Sequence, residues 1–456
     1  MAIFGLVFER LAKDGGKKFI MLFCRCFYLL PGCLWVFLIG SIGNVQAETG
    51  WIEEIRFAGN ERTQPRIMLQ EIVVKVGDTV DPDRIEQSRQ AIMDLGLFKS
   101  VDVKLHPGPM LGQILEFTVS EKYYIIPLPR FDRSADGEVS YGARLTVDNL
   151  AGLNQRLKMT YEATSGCCAT ERTVHSVDMS YSYPRVAGTH YGLGVTLQRE
   201  VYPVITQDEL DNTVAEHDRN FNAAGVGLSR WLSREGPSQG WSAGMTVFWR
   251  YLFFSQEFGA PLMKEAEKTA GFSLGIGYTR VHDYLFSRQG LEYGYISEHG
   301  LVRMGSDTPY SRNYVYYRHY FPLGLPHEHK NFNMQLRFGG TGGDVPIADH
   351  SYSLGGSRDL RGYDKNGFGG RSFFVLNLEM LAPLWGHNAA RGVVFADYGN
   401  AYDDNRVLDF GDLESSFGFG LRYKVKSFVD FQLRVDVSFA FGLDRKKVYF
   451  GSKNTF

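Results

Sequence analysis

The sequence lacks three features that mark common classes of protein: strong charge of one sign, a second long apolar segment, and clustered metal ligands. Its 49 basic and 51 acidic side chains give a formal net charge of -2, which offers no electrostatic basis for nucleic-acid binding. Beyond the N-terminus, no segment approaches the ~20 continuous apolar residues of a membrane-spanning helix. No cysteines and histidines stand at metal-ligand spacing. We therefore expect no nucleic acid, no metal and no cofactor.

Cysteine is scarce, and its placement separates the N-terminus from the rest of the chain. Three of the five cysteines lie in residues 1–47, where basic residues precede an apolar run over 19–43. This order, followed by Val-Gln-Ala, is typical of a secretory signal peptide cleaved after Ala47; a single membrane anchor is the alternative. The remaining pair, Cys167 and Cys168, could form a vicinal disulfide or bind a soft metal, but a loop pair without chemistry is the simpler interpretation.

Glycine and aromatic residues, by contrast, are abundant. The chain has 51 glycines, 33 phenylalanines and 25 tyrosines, a composition typical of many strands and turns. Residues 122–456 consist of short alternating apolar and polar segments, enough for roughly sixteen strands at ~20 residues per strand and turn. A soluble sandwich is the alternative. The signal-like N-terminus and the length of this block favour a mostly β fold, a 16-stranded antiparallel transmembrane β-barrel with its apolar face towards lipid. We expect the acidic stretch 207–218 to be a solvated loop.

Residues 48–121 have a different pattern, which predicts a small α+β domain. An alternating strand begins at Ile52, and a short helix begins at Pro65. A second helix begins at Pro82, with Asp81 as its N-cap and apolar residues at helical spacing. Two alternating segments follow, with a Pro-Gly-Pro turn between them. The predicted order of elements is therefore β-α-α-β-β.

The glycine-rich segment 353–370 surrounds Arg361, and the sequence indicates what this guanidinium binds. The segment lacks the Gly-Lys-Ser/Thr of a phosphate-binding loop, and a solvated loop remains an ordinary alternative. In the two segments that follow, alternation places Glu379 and Asp397 on the lumen face. Two inward carboxylates need a cation, and the planar fork of arginine can contact both. We predict that the loop folds into the barrel and docks Arg361 on Glu379 and Asp397.

These motifs together resemble the BamA/TamA superfamily of outer-membrane assembly and translocation barrels. Residues 51–121 resemble its polypeptide-transport-associated (POTRA) domain, with I-x-F-x-G-N and LGLF in order. LRGY, which contains Arg361, Gly362 and Tyr363, resembles the family's loop-six lumen motif. The segments NLE and FADYG, which contain Glu379 and Asp397, resemble the strands that receive this arginine.

Further segments carry the same resemblance. DNLAGLNQ at 148–155 and YPRVAG at 183–188 are similar to the family's first two periplasmic turns. Gly451 and Phe456 are similar to its C-terminal signal, although Asn454 stands where that signal has a hydrophobic residue. The resemblance implies a short member with a single POTRA domain at 48–121 and a barrel at 122–456.

The resemblance also implies a function, which the periodicity alone does not show. It implies a non-enzymatic factor in the bacterial outer membrane, with the POTRA domain in the periplasm. That domain would capture extended outer-membrane or secreted protein clients, and the barrel would insert them or pass them through. The alternatives are a dedicated transporter of one secreted passenger and a non-catalytic scaffold barrel. The implied partners are client proteins, outer-membrane lipid and periplasmic envelope proteins that bind the POTRA domain.

Overall fold

The computed structural model describes most of the chain after the predicted signal peptide. The described residues are 50–133, 139–165, 173–207, 213–233, 237–259, 266–344, 352–364, 367–403, 409–442 and 446–451. The predicted signal peptide, the pair Cys167 and Cys168, and Phe456 lie outside them. Within the described part, no helix is both long enough and apolar enough to cross a membrane.

The N-terminal unit has the predicted β-α-α-β-β order. Its elements are β1 (Ile52–Ala58), α1 (Pro65–Leu69), α2 (Pro82–Asp94), β2 (Phe98–Pro107) and β3 (Gln113–Glu121). Strand β3 is central, parallel to β1 and antiparallel to β2. Asp81 caps α2 because its side chain accepts from the backbone N–H groups of Asp83 and Arg84, which the helix itself leaves unpaired.

One apolar core holds the helices on this small sheet. Ile92 of α2 and Phe117 of β3 are fully buried in it. The same core includes Tyr124, which follows the domain, and Val429 from a turn of the large sheet. The domain therefore shares its core with the sheet that follows it.

Eighteen further strands follow in the described residues, and sixteen of them form one antiparallel sheet. Its order follows the chain from β4 to β21, except that the loop strands β15 and β16 stand apart. The strands are β4 (Ile125–Arg133), β5 (Val139–Leu150), β6 (Gln155–Ser165), β7 (Thr173–Tyr183), β8 (Tyr191–Gln207), β9 (Thr213–Trp231), β10 (Gly240–Phe258), β11 (Ala266–Asp283), β12 (Arg288–Gly300), β13 (Tyr310–Pro322), β14 (Asn331–Gly343), β15 (Tyr352–Leu354), β16 (Phe368–Gly370), β17 (Ser372–Leu384), β18 (His387–Tyr402), β19 (Glu414–Lys424), β20 (Gln432–Ala440) and β21 (Lys446–Gly451).

The two ends of this sheet meet on the side of the N-terminal unit. Just before β4, the backbone N–H of Tyr123 donates to the carbonyl of Ser427, which precedes β20, at 2.7 Å. Arg156 of β6 binds Asp430 of the same turn at 3.0 Å. Partial removal of the Asp430 carboxylate from water opposes its ionisation, but attraction to Arg288 and Arg156 holds its pKa well below its usual range. These contacts bring the turn before β20 against the chain before β4, at one end of the barrel; among the described residues, β4 and β21 are not paired with each other.

The two faces of the barrel wall differ as the sequence predicts. In β19, Phe417, Phe419 and Leu421 are exposed on the outer face, whereas Ser416 and Arg422 are buried on the inner face. This alternation is that of a lipid-facing wall around a polar lumen. The expectation of a solvated loop at 207–218 is partly wrong, because β9 begins at Thr213 and Glu216 and His217 of that strand are buried.

A buried ion pair fastens the N-terminal unit to the barrel. Glu71, which follows α1, and Arg185, in the turn after β7, are almost fully buried, and their Oε1 and Nη1 atoms lie 2.7 Å apart. The same carboxylate accepts from the backbone N–H of Ser238 at 2.6 Å. The guanidinium also donates to the carbonyl of Gln70. Every charge at this contact is therefore paired with a group from the other unit.

Two more barrel turns contact the same unit. Asp94 at the end of α2 lies 2.8 Å from His282 Nδ1 and accepts from the backbone N–H of Asp283. At the turn after β5, the backbone N–H of Gln64 donates to the carbonyl of Gly152. Only glycine fits there, because φ is +71° and a Cβ would lie 2.1 Å from the carbonyl oxygen of Arg62. The unit is thus held by turns that are distributed around the barrel mouth.

Replacement of Glu71 by glutamine tests this attachment. We expect Glu71→Gln to weaken it by about 3–5 kcal/mol, because the change leaves the buried Arg185 without its counter-charge. Hydrogen exchange at residues 59–73 should become faster in the variant. The control is Arg56→Gln, which removes a solvent-exposed pair with Glu54 and should leave this exchange unchanged. Equal exchange in Glu71→Gln and the parent protein would contradict a docked arrangement.

Candidate functional site

The loop between β14 and β17 folds inward and carries Arg361 into the barrel. Its base is a short hairpin of β15 and β16. Gly355 lets the loop close, since its φ is +112° and a Cβ there would lie 2.1 Å from the carbonyl oxygen of Asp364. Leu360 and Arg361 at the tip are completely buried.

Arg361 binds the two carboxylates that the sequence places on the lumen face. Its Nε and Nη2 atoms donate to the two oxygens of Asp397, each at 2.7 Å, in a bidentate pair. Its Nη1 donates to Glu379 Oε1 at 2.6 Å. The backbone N–H of Arg361 also donates to Asp397, at 3.2 Å. Lysine has no planar fork with which to bridge two strands in this way.

The surroundings fix the orientation of this guanidinium. Its central carbon lies 3.5 Å from the ring centre of Phe395, which adds a cation–π contact. Asn377 donates to Asp397 at 2.8 Å and also to the backbone carbonyl of Asp359 in the loop, at 2.6 Å. Strands β17 and β18 therefore hold both the charge and the backbone of the loop.

The structure adds three charged residues that the sequence interpretation missed. Arg422 of β19 and Arg434 of β20 both bind Asp436, and Arg422 also reaches Glu379 at 3.3 Å. Arg361 Nη1 lies 3.7 Å from Asp436. Alternation in β19 and β20 places these side chains on the lumen face, so the same period-2 argument could have found them. With them, three arginines face three carboxylates.

Gly362 and Tyr363 connect the loop to the last strands. The backbone N–H of Gly362 donates to the hydroxyl of Tyr449 at 3.0 Å, and the hydroxyl of Tyr363 donates to Glu414 at 2.8 Å. Gly362 adopts φ +101°, and a Cβ there would lie 3.1 Å from the backbone nitrogen of Ala440. Gly451 is the last residue of β21, where it pairs with Arg434 in the ladder.

Comparison with known proteins agrees with this architecture. The family model described as the Omp85 superfamily domain matches residues 149–445, and a POTRA model described as a surface antigen variable number repeat matches residues 52–122. The first match alone spans more than half of the chain. The chain belongs to the Omp85 superfamily. The resemblance to the BamA/TamA assembly and translocation barrels and the single POTRA domain are thereby confirmed.

Individual relatives of this Omp85 chain are distant. It is 22% identical over 396 residues to the outer membrane protein assembly factor BamA of Nitratidesulfovibrio vulgaris, covering 82% of this chain and 47% of that protein. The chain thus spans less than half the length of that relative. Two solved structures share its fold: CdiB from Escherichia coli has a TM-score of 0.61 at 14% identity and covers 88% of this chain and 76% of that one. CdiB from Acinetobacter baumannii has a TM-score of 0.59 at 16% identity, covering 88% and 73% respectively.

Membership gives the molecule its orientation in the cell. It is an outer-membrane β-barrel with its N-terminal POTRA domain in the periplasm. The turns that contact this domain therefore lie at the periplasmic mouth of the barrel. Within the described residues, no group of three or more histidine, cysteine, aspartate or glutamate side chains is arranged to hold a metal ion.

The Arg361 network should stabilise the folded barrel, and Arg361→Ala tests this role. Its removal leaves Asp397 and Glu379 buried without their cation, at a cost of about 3–5 kcal/mol. We expect the variant barrel to lose its compact, fast-migrating form on SDS gels at a lower temperature than the parent. Arg361→Lys should fall between the two, because it keeps the charge but loses the fork.

A matched control and a rescue make this test specific. Arg358→Ala removes an exposed arginine from the same loop and should leave the melting behaviour unchanged. Combining Arg361→Ala with Asp397→Asn should recover part of the loss, because the uncompensated charge is removed. Wild-type heat resistance in Arg361→Ala would contradict the proposed role.

Proposed function

We propose that this Omp85 protein is an outer-membrane assembly or translocation factor whose POTRA domain binds extended client proteins. The observation that carries the proposal is the arrangement of the POTRA sheet. On one side, the outer edge of β1 is partly covered, since Ile52 exchanges backbone hydrogen bonds with Gly77 and Asp78. On the other side, β2 is the outer strand and pairs only with β3 among the described residues.

Strand β2 offers its backbone to a client. Its exposed side chains include Asp102, Lys104 and Leu105, and its outer row of N–H and C=O groups can accept a further strand. Charged residues on such an edge oppose uncontrolled pairing with the edge strands of other proteins. An unfolded client in extended form would add one strand to the POTRA sheet beside β2. The POTRA domain is fastened to the turns at the barrel mouth by the Glu71–Arg185 pair. A client bound at β2 is therefore held close to the barrel that would insert it or pass it through.

Passage of one secreted passenger is the second candidate, and the lumen supports it. Strands β8 to β13 border a cavity of about 530 Å³ that is lined by charged side chains. Among these, Glu200 and Glu298 provide negative charge, and Arg250 and Arg312 provide positive charge. A polar lumen of mixed charge suits a hydrated polypeptide. Neither assembly nor passage of a passenger includes a catalytic step. A scaffold barrel, the remaining alternative, would use neither the β2 edge nor the lumen.

Photo-crosslinking tests capture at the β2 edge. We expect a photoreactive amino acid in place of Lys104 to crosslink to an extended client peptide, because the client would lie beside β2. The control position is Glu86 on the exposed face of α2, which should give no adduct above background. Equal labelling at both positions would contradict strand addition at β2.

Depletion of the protein distinguishes assembly from dedicated transport. An assembly role predicts that many integral barrels disappear from the outer-membrane proteome, because their insertion requires the protein. Dedicated transport predicts the loss of one protein from the culture medium with the other barrels intact. Quantitative proteomics of both fractions provides the measurement, and complementation with a chain that lacks residues 51–121 provides the control. Full activity of that truncated chain would contradict client capture by the POTRA domain.

A further inference from the structure

A small cavity lies in the lumen between the Arg361 network and the periplasmic turns. It extends from Glu379 of the network to Ser287 in the turn before β12, with walls from strands on both sides of the lumen. Its volume is about 30 Å³. Since about 10–15 Å³ of such space holds one water-sized group, the cavity admits a small ion and excludes a peptide segment or a lipid headgroup.

The charges that line the cavity do not balance. The lining includes four basic and two acidic side chains: Arg288, Arg391, Arg422 and Lys424, with Asp283 and Glu379. Both acceptors of Arg422, Asp436 and Glu379, are shared with Arg361, and Asp436 also binds Arg434. The carboxylates of the network are thus already committed to its own arginines. Basic lining side chains thus outnumber acidic ones by two. Arg288 also lies 3.9 Å from Asp430, outside the lining, whereas Arg391 and Lys424 form no ion pair among the described residues.

Arg391 is the clearest sign of this imbalance. It is 5% exposed, and its Nη atoms meet only neutral acceptors: Asn331 Oδ1 at 3.2 Å and Gln432 Oε1 at 3.4 Å. Its buried Nε has no hydrogen-bond acceptor among the described residues. This guanidinium therefore has an unused donor and no carboxylate among its hydrogen-bond partners.

Lys424 adds a second buried cation on the same wall. It lies on β19 and is 7% exposed. In the described part of the chain, no carboxylate lies within 4.0 Å of its ammonium group. Removing two such cations from water without a counter-charge costs several kcal/mol per ion. A bound counter-ion of the opposite sign offsets that cost.

We propose that this cavity binds one small inorganic anion, of about the size of chloride, between Arg391 and Lys424. The unused Nε of Arg391 donates one hydrogen bond to the anion, and the Lys424 ammonium supplies a second positive contact. The anion reduces the excess positive charge of the lumen below the Arg361 network. This site is independent of client capture by the POTRA domain.

Bromide provides a direct probe of the site, because it replaces chloride and scatters X-rays anomalously. Crystals of the full mature chain grown or soaked in sodium bromide should show an anomalous peak within about 3.5 Å of Arg391 Nε, a contact distance for a charge-assisted donor. The peak should be absent in Arg391→Gln. Anomalous density confined to the protein surface would overturn the proposal.

Anion-dependent stability provides a second measurement in solution. Urea unfolding of the detergent-solubilised barrel is compared in sodium chloride and sodium gluconate at equal ionic strength, since gluconate is too large for the cavity. Above the dissociation constant, each tenfold rise in chloride should raise the folding equilibrium constant about tenfold. This dependence should be lost in Arg391→Gln. If that variant does not fold, Lys424→Gln serves instead and should show the same loss.

The control is Arg144→Gln, which removes a lumen arginine of β5 outside the cavity and should keep the full chloride dependence. The change in stability that Arg391→Gln causes in gluconate separates anion binding from a purely structural role of Arg391. Without a fitting anion, Arg391→Gln should be at least as stable as the parent, because it removes an uncompensated charge. A variant that is equally destabilised in both salts, or a parent without a saturable chloride effect, would overturn the proposal.

Discussion

The cost of burying charge is the constraint on which the rest of this structure depends. A barrel wall that faces lipid outside must place its polar residues inside, and a loop that fills the lumen then removes water from them. Asp397 and Asp436 are completely buried there, where an unpaired carboxylate would cost several kcal/mol. The loop is stable in the lumen because Arg361 brings a cation to both strands of the β17–β18 pair. The loop can therefore pack inside the lumen only because its arginine pairs with these buried carboxylates.

The same constraint governs the attachment of the POTRA domain. Glu71 and Arg185 lose their water when the domain covers the barrel mouth, and each becomes the counter-charge of the other. The pair favours one docked position, because any displacement of the domain separates two buried charges. Apolar contact contributes as well, since Val429 of the barrel lies in the POTRA core. The POTRA domain is thus oriented by the barrel itself.

The sequence predicted those parts of the molecule that depend on local periodicity. Period-2 alternation placed Glu379 and Asp397 on the lumen face, and the Asp81-Pro82 signal placed the start of α2. The same alternation places Asp436 and Arg422 on the lumen face, but their contacts with the network depend on the register between neighbouring strands, which local periodicity does not give. The acidic stretch near Glu216 misled for a related reason. A charged side chain is exposed to solvent only where the rest of the fold leaves it uncovered. Whether Glu216 is covered depends on long-range strand register, which local sequence does not show.

The loop is held with unequal strength by the strands that it touches. On β17 and β18, Arg361 makes charged hydrogen bonds to Glu379 and Asp397 in a buried site, and such contacts are costly to break. On β21, the backbone N–H of Gly362 donates to the hydroxyl of Tyr449, and a neutral hydrogen bond of this kind contributes only about 1 kcal/mol. The ion pair of Asp364 with Lys447 of β21 is exposed to solvent and adds little. Breaking the contacts of the loop with β21 therefore costs less than breaking its contacts with β17 and β18. The loop is therefore fixed mainly to β17 and β18, the strands that carry its two buried counter-charges.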